Sequence, residues 1–146
     1  MIIKIATFNL FQFCSPEFSF YTKKEKFKKE DWEEKKNWIK EQLQKMDCDI
    51  VGFQEVFSQK ELKELVLECG FKEFVVSNKP KLDEKNRVFK TTTVALASKF
   101  PIKNINNHFY HVSCLILFGF ADIHMFKINL KPGVNHTTIT QAVIEN

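Results

Sequence analysis

Two apolar runs, each with a polar residue near its far end, frame the first third of the chain. Ile2 to Leu10 is apolar apart from Lys4, Thr7 and Asn9, and Cys48 to Val56 brings Gln54 and Glu55 to its carboxyl end. Short runs rich in Ile, Val and Phe predict strands. Between them, Asp31 to Met46 has a helical period. At 100° per residue Trp32, Ile39, Leu43 and Met46 fall within a narrow arc, Asp31 stands as the N-cap with Glu34 three residues on, and Trp38 packs at the edge of the arc. Strand, helix, strand predicts a parallel crossover, which sets both carboxyl ends on the same rim of one sheet.

The pattern continues with a second helix. Ser58-Gln59-Lys60-Glu61 reads as a capping box, Leu62, Leu65, Val66 and Cys69 form its inner face, and Gly70 ends it. Phe71 to Ser77 predicts a strand. Asn78 to Lys90, with Pro80 and a run of charged residues, predicts a polar loop. Thr91 to Ser98 predicts another strand, and Pro101 holds the residue before it out of a helix. Two further strands are expected between His111 and Leu130, joined near Gly119 to Asp122, and a short helix is expected over Thr137 to Glu145.

Asn9 and Glu55 are the residues of chemical interest. A carboxylate in the middle of a buried strand costs several kcal/mol of desolvation unless a cation or a set of donors compensates it, so Glu55 belongs at the strand end. Ligands of open α/β sheets bind on that rim. Plainer roles stand beside this one: Glu55 capping the helix that follows or pairing with a lysine, and Asn9 satisfying the backbone of a turn.

Three segments together carry a resemblance. Ile5-Ala6-Thr7-Phe8-Asn9-Leu10, Asp49-Ile50-Val51-Gly52-Phe53-Gln54-Glu55-Val56-Phe57 and Val94-Ala95-Leu96-Ala97-Ser98-Lys99-Phe100-Pro101-Ile102 are similar, in order and spacing, to the successive N-terminal motifs of the endonuclease/exonuclease/phosphatase superfamily. The similarity covers 1–102. The resemblance implies an α+β chain: the N-terminal portion of a two-sheet α/β sandwich (DNase I-like), with a mixed sheet and flanking helices. It also implies a divalent cation, Mg2+ or Mn2+, used to cleave phosphodiesters or phosphomonoesters. Glu55 would be the metal-binding carboxylate, and Asn9 would help hold the metal or the scissile phosphate. Magnesium suits such a sparse donor set, because it prefers oxygen ligands and keeps several waters.

Other family motifs are missing from these 146 residues. No Gly-Asp-Phe-Asn-like segment and no Asp-His pair occurs, so the expectation is one truncated domain over 1–146. In the tail, Ile123 to Lys131 alternates through Phe126, Ile128 and Leu130. It is similar to the family strand that ends in His-Leu-Lys-Ser, which would place Asn129 where a catalytic-site His stands. An Asn cannot exchange a proton usefully near neutral pH. The alternative is that everything past about Asn104 is unrelated to the family.

Composition sets outer limits. One domain fits the length, and sixteen Phe against two Tyr predict an aromatic-rich, sheet-packed core rather than disorder. The net charge of +4 is modest, and the lysines between Lys23 and Lys40 alternate with Glu25, Glu30, Asp31, Glu33 and Glu34, which predicts a solvated helix face. Cys14, Cys48, Cys69 and Cys114 are widely spaced with no CxxC pair, so reduced thiols are expected rather than zinc ligands. His108 and His111 read as ordinary surface or turn histidines, and Lys99 as structural. With no secretory signal and no transmembrane stretch, the expected location is cytoplasmic.

Two function classes follow. One is a metal-dependent hydrolase acting on a phosphate ester (nucleic acid, phospholipid headgroup or small phosphodiester) through Asn9 and Glu55. The other is a non-catalytic remnant or interaction module, in which exposed sheet edges and a bare apolar inner face invite self-association.

Overall fold

A computed structural model describes residues 2–108, 111–116, 124–129 and 139–145, with side chains over 3–102. The chain opens with β1 (Ile2–Phe13) and β2 (Ser19–Phe20), then α1 (Lys29–Met46), β3 (Ile50–Val56) and α2 (Gln59–Glu68). There follow β4 (Glu73–Val76), β5 (Leu82–Asp83), β6 (Val88–Phe89), β7 (Thr93–Ser98), β8 (Ile102–His108), β9 (His111–Ile116), β10 (His124–Asn129) and β11 (Ile139–Glu145). The fold is mixed α+β. Its main sheet has the order β11-β1-β3-β7-β4, while β10-β9-β8 and β2-β6-β5 form two smaller sheets.

The crossover expected from the pattern is present. β1 and β3 run parallel with Ile5 opposite Ile50 and Asn9 opposite Gln54, and β7 joins β3 antiparallel. Alternation along the strands sorts the apolar residues onto two faces. Ala6, Phe8, Leu10, Val51, Phe53, Ala95 and Ala97 meet the helices, where Trp32, Ile39, Leu43 and Met46 of α1 and Leu62, Leu65 and Val66 of α2 are buried. Trp38 is exposed at the edge, its ring 5.7 Å from that of Phe8 in a T-shaped contact. On the opposite face Ile3, Ile50, Val94 and Leu96 form a second buried cluster. The centre of the face expected to be bare is therefore buried, while Ile5, Val75, Phe100 and Ile102 around it stay partly exposed.

Several local expectations are corrected by tertiary contacts. Asp31 does not cap α1: the cap is Lys28, and Asp31 sits with Glu30 in the first turn, where acidic side chains favour the positive helix end. Ser58 does occupy the N-cap of α2, yet its hydroxyl makes no cap bond and instead accepts from the Ser15 backbone N–H at 2.8 Å. Gly70, at φ +91°, turns the chain after α2 as expected. The polar loop over 78–90 contains the β5–β6 pairing, and Val88 and Phe89 are buried, Phe89 packing against Phe20 and Phe57.

The expected helix over Thr137 to Glu145 is also wrong. Ile139–Glu145 is strand β11, antiparallel to β1 from Ile2↔Glu145 to Phe8↔Ile139. The free edge of β1 supplies a row of backbone donors and acceptors, and the β-branched residues Ile139, Thr140, Val143 and Ile144 suit that edge better than a helix. The two strands expected between His111 and Leu130 are present as β9 and β10, paired antiparallel. Their expected connection near Gly119 to Asp122 lies outside the described residues.

Candidate functional site

The site is built where β1 and β3 end side by side. A regular pleat would set Gln54 beside Asn9, its register partner, and send Glu55 to the opposite face. A bulge prevents this. Gln54 and Glu55 together face a single residue of β7 between the pairs Phe53↔Ala95 and Val56↔Thr93, and Glu55 takes φ +58°. Such an extra residue re-aims a side chain. Here the Glu55 carboxylate swings to Asn9, whose side-chain amide donates to Oε1 at 3.2 Å.

β1 bulges in answer. Its register jumps between Asn9 and Phe13, and both Phe11 (φ 48°) and Gln12 (φ 63°) are left-handed. Non-glycine residues there cost roughly 1–2 kcal/mol each. Three hydrogen bonds hold the turn: Phe11 N–H to Asn9 Oδ1 at 2.8 Å, Gln12 N–H to Glu55 Oε2 at 3.0 Å, and the Lys35 ammonium to the Phe11 carbonyl at 2.8 Å. Asn9 thus has the turn role open to it in the sequence and also touches Glu55. It is 3% exposed, whereas Glu55 is half-buried.

Glu55 accepts one neutral N–H on each oxygen, and among the described residues no ion pair engages it. A carboxylate has about four acceptor positions, so capacity remains. The Glu55 carboxylate fits a hard cation that keeps most of its water, and Asn9, with its NH2 turned to Oε1 and its Oδ1 to the Phe11 N–H, orients that carboxylate. The pair does not make a closed protein cage: among the described residues no group of three His, Cys, Asp or Glu side chains converges.

Lys35 and Tyr21 complete the surroundings, and sequence reasoning missed both. Lys35 borders the apolar arc of α1, one signal by which a half-buried lysine could have been read. Burial pushes its pKa down to about 8, opposed by the nearby Glu55 charge. Burial, reinforced by Glu55, raises the phenol pKa of Tyr21. Nothing in the local pattern marks Tyr21, which reaches the site through its own left-handed turn at φ 62° and packs edge-on against Phe57.

The sign of the Lys35 shift makes a prediction. Between about pH 8 and the ordinary lysine value the unfolded chain holds a proton that the folded chain lacks, so this group adds stability as pH rises through that window. Below the window both states are protonated, and the contribution is gone. Urea unfolding at stepped pH should give a steeper positive slope over that range for the wild type than for Lys35→Met. Equal slopes would show that the lysine titrates normally.

Other candidates lie elsewhere. Lys99 sits at the amino end of β3, on the opposite rim, with its ammonium 3.5 Å from Asp49 and 3.8 Å from Asp47. Asn129 closes β10 opposite His111, in the β10-β9-β8 sheet, and its side chain lies outside the described residues. His108 and His111 are register partners at the end of the β8–β9 pairing. The Cys14 and Cys48 thiols are buried, and burial pushes their pKa values up to about 12 and about 11, so both are protonated at neutral pH. No helix among the described residues is long and apolar enough to cross a membrane. Comparison with family models, curated proteins and solved structures finds no match to this chain.

Proposed function

We propose that the Asn9–Glu55 rim is the metal-side half of a phosphoester hydrolase site of the endonuclease/exonuclease/phosphatase type, in a DNase I-like α/β arrangement. The observation that carries the reading is the contact itself. Two chain segments leave regular strand geometry, at three left-handed non-glycine residues, to bring one amide and one carboxylate within 3.2 Å. Backbone strain of this kind persists where the surroundings enforce it, and it clusters at functional sites. Glu55 would hold Mg2+ or Mn2+, with Asn9 orienting its carboxylate. The cation would offset negative charge on the phosphoryl oxygens. The chain's own part is to fix the carboxylate through the Gln12 N–H and the buried Asn9 amide, and to leave Glu55 half-buried. The substrate class is a phosphate ester: nucleic acid, phospholipid headgroup or small phosphodiester.

The alternative is a non-catalytic interaction module of the same fold. The hydrolase reading requires a cation at Glu55, so the cation is tested first. At tenfold excess over its dissociation constant, Mg2+ adds about 1.4 kcal/mol to the folded state. In a chain of this size that amounts to roughly 3–6 °C in Tm. Wild type should show that rise in a thermal melt and Glu55→Gln should not. Equal rises in both would remove Glu55 as the ligand.

A further inference from the structure

The peptide group between Phe11 and Gln12 is held from both ends. Its carbonyl accepts from the Lys35 ammonium at 2.8 Å, and its N–H donates to Glu55 Oε2 at 3.0 Å. One peptide group thus separates the cation from the carboxylate, which places them within about 8 Å of each other. The Lys35 Nζ also lies 5.7 Å from the centre of the Phe11 ring and 5.0 Å from that of Phe27, so two aromatic rings flank the ammonium. An ammonium carries three N–H donors, and among the described residues one hydrogen bond and no ion pair engage it.

We propose that Lys35 is the anion-contacting residue of this site, donating to a non-bridging oxygen of the phosphate whose cation Glu55 holds. The inference rests on the reading of Glu55 as the metal-side group. It adds the substrate-side group, which the three resembling segments do not include. α1 is the right element for the task, because it is the crossover that links the two site strands. Lys35 approaches their carboxyl ends from the helix while Asn9 and Glu55 approach from the sheet. A cation at Glu55 would neutralise the carboxylate that otherwise repels an anion. Phosphate binding should therefore require Mg2+.

The test is calorimetric titration of inorganic phosphate into the full chain, with and without Mg2+. Wild type should bind phosphate only with Mg2+ present. Lys35→Met should weaken that binding about tenfold or more, the worth of a lost charge-assisted hydrogen bond, and Lys35→Arg should restore most of it. Mg2+ binding in the absence of phosphate should tighten in Lys35→Met, since a nearby positive charge has gone. A lysine that merely pinned the turn would move it the other way. If Lys35→Met does not fold, Lys35→Gln, which keeps a donor for the Phe11 carbonyl, carries the same comparison. Phosphate binding unchanged in the neutral variants, or phosphate and Mg2+ binding weakened together, would overturn the proposal. Loss of the Mg2+ response in the wild type would instead sink the reading of Glu55.

Discussion

Glu55→Gln is expected to lower Mg2+-dependent hydrolysis of a generic phosphodiester by about a thousandfold or more, the scale on which single members of a cooperating catalytic group act. The substitution preserves size, and the side-chain oxygen can still accept from either Asn9 or the Gln12 N–H. The other donor would then face an amide NH2, a mismatch worth about 1–3 kcal/mol. What is lost entirely is the negative charge that a divalent cation needs. A urea midpoint measured beside the rate separates these effects: activity should collapse while the chain stays folded. A variant that hydrolyses at the wild-type rate with Mg2+ would eliminate the enzyme reading built on Glu55. A folded wild type that binds Mg2+ without turnover would favour the interaction module.

The largest effect on stability is expected at Phe8. Its side chain is 0% exposed in the centre of β1, with ring centroids 5.7 Å from Trp38 and 6.4 Å from Phe53. Phe8→Ala removes the contact that seats α1 on the parallel pair. The expected cost is about 3–5 kcal/mol from lost transfer energy and the cavity left behind. Against a typical folding free energy of about 5–15 kcal/mol, that is a large share. Trp38→Ala, at the exposed edge of the same contact, should cost far less. Because Asn9 follows Phe8 directly, the Mg2+ response should weaken along with stability in the Phe8 variant. A loss below about 1 kcal/mol by chemical denaturation would mean that the Phe8 pocket collapses without strain.

Particular residues show how far local pattern reaches. The β1–α1–β3 crossover and the buried set Trp32, Ile39, Leu43 and Met46 were legible, since a buried helix face leaves its period in the chain. The caps were less so. Asp31 and Ser58 are good capping residues by type, but Ser58 found a better-placed donor in Ser15, from a segment distant in sequence. The strand over Ile139–Glu145 was misread because its partner is the first strand of the chain, and a window of nine residues carries no record of that edge.

The candidate site divides in the same way. By itself the sequence determined that Asn9 and Glu55 stand at the ends of neighbouring parallel strands, because alternation and crossover handedness are encoded locally. Only the tertiary structure decided that they touch. The pleat alone would have set them on opposite faces, and the bulge at Glu55, the left-handed turn at Phe11 and Gln12 and the reach of Lys35 from the helix all depend on partners far along the chain. Hydrophobic periodicity is a sum over neighbours, whereas the direction of one polar side chain at a strand end is set by whichever distant donor reaches it first.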